Sequence, residues 1–290
     1  MDINNKKIGI IGFGRVGKII SRLLMEYNTI ETIYIYSKHG NIGFIEELKH
    51  INQFHIQVKS FSDFTDIDNV DIIFVSSSVD YNRLVKNKDI VDIWKLELEY
   101  NIKIINDIFT QLKKIQNKTV FVYTNPVDVI AYYIFKLIDP SNSVYGFGVN
   151  LDTMRLHNLI TNQGYVVGEH GNMMVPIGVS DNIDTLYQIR ESIINSITFV
   201  TKHQGYTSIS VEVATKLLLD AIFTNETCET FTLSHYDAQE NIFIGKPFLI
   251  KKDQIVYSEM NLNPAEKVLF AESIHKIKNE IKQYNHEQHI

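Results

Sequence analysis

The sequence predicts an α/β protein whose first half is a doubly wound parallel sheet. Two observations carry this. Apolar runs of strand length alternate with stretches of helical periodicity from Ile8 to Gly148. The first apolar run also passes directly into the first helical stretch through a turn of closely spaced glycines.

Ile8 to Ile11 form a short apolar run, as expected of a strand buried on both faces. Gly12-Phe13-Gly14-Arg15-Val16-Gly17 follows at once, and Ile19, Ile20, Leu23 and Leu24 then recur at helical spacing. The order is strand, GxGxxG, helix. Gly12 permits a tight turn, Gly14 lets a pyrophosphate approach the backbone, and Gly17 lets the helix pack close to the strand. Helix-terminal amides would face the phosphates. A dinucleotide-binding Rossmann domain is the reading, with a ligand-free tight turn as the alternative.

The second strand, 32–37, ends at Ser37, where such folds usually place the carboxylate that binds the adenosine ribose. A neutral residue there, with Arg15 and Lys38 near in sequence, leaves NADP open beside NAD. Further strands are expected at 54–58, 70–76, 119–124 and 143–148, with helices over 41–52, 91–116 and 127–138. Ligands of such sheets lie beyond strand C-termini. The chemistry is therefore expected just after Ser76, Thr124 and Gly148.

Composition narrows the classes of partner. The net charge of −6 comes without a basic tail, so a nucleic-acid partner is not indicated. The single cysteine, Cys228, rules out an intramolecular disulfide and a cysteine-based metal cluster. No apolar stretch has the length of a membrane span, and the opening run lacks a signal-peptide pattern. A cytoplasmic protein acting on a small molecule is expected.

Three expected strand ends carry reactive groups. Asn125 precedes Pro126 at a helix entry, where its amide suits a substrate oxygen or a nicotinamide; an ordinary Asn-Pro entry is the alternative. Asp152 and Arg155 are three apart and share a helix face. Either they form a surface ion pair, or the carboxylate turns to a histidine and the guanidinium grips a substrate carboxylate with two prongs. The second option gains weight because the chain has only five arginines. His170 lies between Gly168 and Gly171 in "VVGEHGNMMVP". A histidine held by a carboxylate keeps one tautomer and a stabilised protonated form, as an acid–base catalyst requires. Its neighbouring glycines are expected to let the ring face a strand-end pocket.

Taken together and in order, "GIIGFGRVG", "TNPVDV", "NLDTMR" and "VVGEHGNMMVP" resemble the L-lactate/malate dehydrogenase superfamily. The segments "IEELKH", "HQGYTSISV" and the tail from Phe243 to Ile281 resemble the same family. The resemblance implies an N-terminal Rossmann domain over 1–148 and an α+β substrate domain over 149–290. It makes His170 the acid/base, Asp152 its orienting carboxylate and Arg155 the substrate clamp. Asn125 contacts substrate and cofactor, and Thr207 is a pocket residue. Gly12, Phe13, Gly14, Arg15, Val16, Gly17 and Ser37 contact the dinucleotide. No metal is implied. The partners implied are a 2-oxo or 2-hydroxy acid and further copies of the chain, as a homodimer or homotetramer. Asn172 in "GEHGN" is closer to L-2-hydroxyisocaproate dehydrogenases than to most lactate or malate enzymes.

The family's mobile lid should follow Ser76. Here that segment holds no glycine or proline, and its sole arginine, Arg83, sits too early to polarise a substrate carbonyl. It lies nearer the position that reads the substrate side chain, where malate enzymes carry an arginine. Lys86, Lys88 or Lys95 could supply a cation without the planar fork of arginine. Three alternatives stand beside an L-2-hydroxyacid dehydrogenase. One is a weak or inactive relative that senses dinucleotide. The second is a malate dehydrogenase, if Arg83 reads a second carboxylate. The third is a metal-dependent nicotinamide glycosidase using Cys228.

Overall fold

The computed structural model describes residues 6–37, 41–51, 57–61, 64–79, 90–160, 164–224, 229–251 and 254–287. The chain forms two compact units. One comprises Met1–Pro126 and Ile130–Tyr145, the other Val127–Val129 and Gly146–Ile290.

The first unit runs β1 (Lys6–Ile11), α1 (Arg15–Leu24), β2 (Ile30–Tyr36), α2 (Ile42–His50), β3 (Gln57–Phe61), β4 (Ile72–Val75), α3 (Ile90–Phe109) and β5 (Thr119–Val122). α4 (Val127–Leu137), whose first three residues belong to the second unit, and β6 (Ser143–Gly146), whose last residue does, complete the sequence. The strand order is β3-β2-β1-β4-β5-β6. The chain winds outward from β1, then returns to β4 on the other side of β1, which is the doubly wound arrangement expected. β1 pairs in parallel with β2 and β4, and β4 in parallel with β5. The central strands are sealed on both faces: Ile8, Ile10, Ile11, Ile73, Phe74, Val75, Val120, Phe121 and Val122 are buried. Continuous burial explains why these strands read as unbroken apolar runs.

One strand differs from expectation. Of the run expected as a strand at 54–58, Gln57 and Val58 lie in β3, which continues beyond the expected end to Phe61. Its ladder with β2 matches Thr32 to Gln57 and Tyr36 to Phe61, so the neighbouring strand sets the register. Residues 52–56 lie outside the described set. Local apolarity did not reveal this, because pairing is a long-range choice.

The second unit comprises α5 (Val149–Leu159), β7 (Tyr165–Gly168), β8 (Met174–Ile177), α6 (Ile183–Gln204) and α7 (Ile209–Phe223). β9 (Glu229–Asp237), β10 (Ile242–Lys251), β11 (Gln254–Tyr257) and α8 (Pro264–Glu287) follow. Its strands are antiparallel in the order β9-β10-β7-β8, with β11 on β10. Alternation along β7 and β8 feeds two cores. Val166 and Met174 pack with Val149, Leu156 and Ile193; Val167 and Val175 pack with Leu186 and Leu269. The apolar face expected on α6, from Ile183 to Ile197, lies against these two clusters. The β7–β8 connection, clamped between helices on both sides, carries His170.

Among the described residues, no helix is long and apolar enough to cross a membrane.

Candidate active site

In the first unit, the glycine turn is shaped by steric need at two positions. Gly12 has φ +95°, and a Cβ there would lie 2.3 Å from the Ser77 nitrogen. At Gly17 a Cβ would lie 2.2 Å from the Gly12 oxygen, so α1 starts flush against the strand end. Gly14 is different: nothing lies within 4 Å of a Cβ built on it. It is the N-cap of α1, whose bonding begins with the Lys18 amide donating to the Gly14 oxygen at 3.1 Å. The first-turn amides and the positive end of the helix dipole therefore border open space. That space fits a pyrophosphate. Phe13 is buried with its ring edge-on to Phe44, so only its backbone is placed to serve a ligand; Arg15 is exposed and Val16 half-buried.

The neighbouring strand ends are cross-linked. The Ser76 hydroxyl donates to the Gly12 oxygen at 2.8 Å, and the Thr124 hydroxyl donates to the Ser77 oxygen at 2.9 Å. Fully buried Asn101, on α3, accepts from the Val79 amide at 2.7 Å and donates to the Asn125 oxygen at 2.8 Å. Asn125 itself is exposed at the end of its strand. Ser37 sits past β2, and its hydroxyl accepts from the Asn41 amide at 3.2 Å.

The second unit gathers the reactive side chains. Asp152, fully buried on α5, receives two basic partners. His170 Nδ1 lies 2.7 Å from Oδ2, and Arg155 Nη1 lies 2.7 Å from Oδ1. A carboxylate only accepts, so Nδ1 carries the hydrogen and Nε2 is the nitrogen left to exchange a proton. Burial works against the charged ring, but the charge and hydrogen bond of Asp152 outweigh it. Arg155 opposes, Asp128 assists, and the His170 pKa is raised on balance.

The turn that carries His170 is tied down at four backbone points. The Glu169 amide donates to the Ser273 hydroxyl at 2.5 Å, and the His170 amide to Asp128 Oδ2 at 2.8 Å. The Met173 amide donates to Glu169 Oε2 at 2.7 Å, and Arg190 Nε donates to the Met174 oxygen at 2.7 Å. Burial pushes the Glu169 carboxyl up to about 7, with the Met173 amide opposing and the charges of Glu280 and Asp128 adding to the rise. Burial likewise lifts Asp128 to about 6, against the pull of Ser234 and His170.

Of the glycines flanking His170, Gly168 supplies a bend as expected, whereas Gly171 serves a different need. Gly168 has φ +84°, a conformation β-carbons resist, and it bends the chain out of β7. A Cβ on Gly171 would lie 2.4 Å from Glu169 Oε1, so this glycine makes room for the buried glutamate. The imidazole is accommodated by Gly148 instead, where a Cβ would lie 2.5 Å from His170 Cδ2. That contact joins residues 22 apart in sequence and leaves no local signal.

Residues 6–143 match the family model described as lactate/malate dehydrogenase, NAD binding domain. L-lactate dehydrogenase 2 of Enterococcus faecalis is 24% identical, over 96% of this chain and 97% of its own. The L-lactate dehydrogenase of Pseudothermotoga lettingae is 27% identical, over 96% of each. Over these spans the chain is similar to the L-lactate/malate dehydrogenase superfamily. Among solved structures, the malate dehydrogenase of Archaeoglobus fulgidus in complex with NADH shares the fold, with a TM-score of 0.80 at 21% identity, over 96% of this chain and 99% of that one. A lactate dehydrogenase from a Medee basin deep-sea metagenome does so with a TM-score of 0.75 at 22% identity, over 96% and 98%.

These similarities support an NAD-dependent oxidoreductase, and NAD is the cofactor that the glycine turn fits. Of the remaining expected site residues, Thr207 is half-buried in the link between α6 and α7. Lys38, Arg83, Lys86, Lys88 and Cys228 lie outside the described residues, as does the lid segment 80–89; the side chain of Lys95 is likewise not described. Asp128, Gly148, Asn101 and Arg190 escaped the sequence reading. Only Asp128 had a usable signal: it is an acid in the otherwise apolar first turn of α4, within "TNPVDV".

Proposed function

We propose that the chain is an L-2-hydroxyacid dehydrogenase that reduces a 2-oxo monocarboxylate of the pyruvate or branched-chain type. One observation carries this: the buried Asp152 carboxylate holds both the His170 imidazole and the Arg155 guanidinium, each at 2.7 Å. NAD, when bound, supplies or accepts the hydride at C2. In the reducing direction His170 Nε2 gives its proton to the carbonyl oxygen, which becomes the hydroxyl. The ring is then neutral, and Nδ1 keeps its hydrogen, donated to Asp152 Oδ2. Arg155 has one nitrogen committed to Asp152, and its remaining N–H groups meet the substrate carboxylate in the two-pronged manner that guanidinium geometry favours.

The monocarboxylate assignment follows from the "GEHGN" turn and from the names of the curated relatives, all L-lactate dehydrogenases among those given above. Arg155 places one cation for one carboxylate. Assembly as a homodimer or homotetramer goes with this reading.

The test is NADH oxidation with pyruvate, 2-oxoisocaproate, phenylpyruvate and oxaloacetate, repeated with NADPH. Turnover of a monocarboxylate that is lost in His170→Gln supports the reading. Preference for oxaloacetate would reassign the substrate to a dicarboxylate and Arg83 to its recognition. Retained NADH binding with no turnover across the panel would leave a dinucleotide sensor.

A further inference from the structure

Asp128 belongs to the apolar first turn of α4, yet it is 2% exposed and carries a carboxyl group. A buried carboxylate is expensive unless it is used by hydrogen bonds or charge. Its Oδ2 is used: it accepts the main-chain amide of His170 at 2.8 Å. The Ser234 hydroxyl adjoins the group, and neither that hydroxyl nor Asp128 Oδ1 completes a hydrogen bond in this geometry. One acceptor oxygen is thus spent on the backbone of a single residue 42 positions away, and that residue carries the reactive imidazole.

The amide bond acts on geometry. His170 follows a bend at Gly168, and its ring must pass Gly148 to reach Asp152. Fixing the amide removes backbone rotation at the one residue whose side chain must meet Asp152 in line. The charge acts on protonation. An anion here favours the imidazolium, adding to Asp152 and opposing Arg155. The charged groups that act on or are acted on by Asp128 are His170, Glu280 and Glu169, and Lys276 in turn acts on Glu169 and Glu280.

We propose that Asp128 is a positioning residue for proton transfer: it fixes the His170 backbone so that the ring meets Asp152, and its negative charge favours the protonated ring. This rests on the dehydrogenase reading for its consequence in turnover, but the link between Asp128 and His170 can be read without turnover.

The experiment compares the full chain with Asp128→Asn and Asp128→Ala. Asp128→Asn keeps an acceptor oxygen and loses the charge; Asp128→Ala loses both. The His170 ring is titrated by NMR with labelled histidine, and kcat, KM and NADH affinity are measured against pH. In Asp128→Asn the His170 midpoint should fall by on the order of half a unit, with kcat at pH 7 reduced less than tenfold. In Asp128→Ala kcat should fall by about 10²-fold with NADH affinity unchanged, because the ring loses its aim. A solely structural role would lower stability in both variants without moving the His170 midpoint. In the unmodified chain, the His170 amide proton shift should follow the Asp128 titration, a measurement that needs no variant to fold. An unmoved midpoint in both variants, or an amide shift blind to pH near 6, would overturn the proposal. Absence of turnover with these NMR results intact would instead remove the dehydrogenase reading.

Discussion

Replacing Glu169 by glutamine should make the protein more stable above neutral pH. Glu169 is 7% exposed, and burial raises its carboxyl from 4.5 to about 7. The folded state therefore holds a proton that the unfolded chain releases. For a group raised in this way, its contribution to stability is full below pH 4.5, declines as pH rises and is lost by about pH 7. At ~1.4 kcal/mol per unit, the span from 4.5 to about 7 corresponds to roughly 3 kcal/mol. Glu169→Gln cannot ionise, and its amide oxygen can still accept the Met173 amide now held at 2.7 Å. The difference in unfolding free energy between the variant and the parent should grow in favour of the variant between pH 4.5 and 7, then level off. Urea unfolding followed by circular dichroism at half-unit pH intervals measures it. Two stability curves that stay parallel through this window would refute the reasoning, since a group with an ordinary pKa contributes no slope there.

Three further outcomes are expected. Gly148→Ala puts a Cβ 2.5 Å from His170 Cδ2, so kcat/KM for the 2-oxo acid should fall by about 10²-fold, with NADH binding as the control for folding. Asp152→Asn removes the charge that favours the imidazolium and leaves burial to lower its pKa; kcat/KM should drop by about 10²–10⁴ and the alkaline limb of the reduction profile should move to lower pH. Asn101→Ala strips partners from the Val79 amide and the Asn125 oxygen, so chemical unfolding should show a loss of about 2–5 kcal/mol, together with a raised KM.

Much of the scaffold was legible because its signals are local. β1, the glycine turn and α1 are contiguous, so apolar run, steric need at Gly12 and helical spacing all sit within twenty residues. The α6 face was readable for the same reason: helical periodicity puts Ile183 through Ile197 toward the two cores. The extension of β3 to Phe61 was not, since pairing with Thr32–Tyr36 decides it. In the candidate site, Asp152, Arg155 and His170 could be named from their residue types and motifs.

The sequence by itself determined the element order and which chemical groups were on offer: a phosphate-sized glycine gap, one imidazole in a glycine-bounded turn, and an acid–arginine pair on one helix face. Only tertiary structure decided which of these groups meet. It brought Asp152 against both His170 and Arg155, made Gly148 rather than Gly171 the space for the ring, and turned Asp128 and Glu169 into buried tethers of one short turn. The physical reason is range. Backbone propensity and periodicity act over a few residues, whereas burial, electrostatic coupling and steric clearance depend on atoms that the folded chain alone makes neighbours.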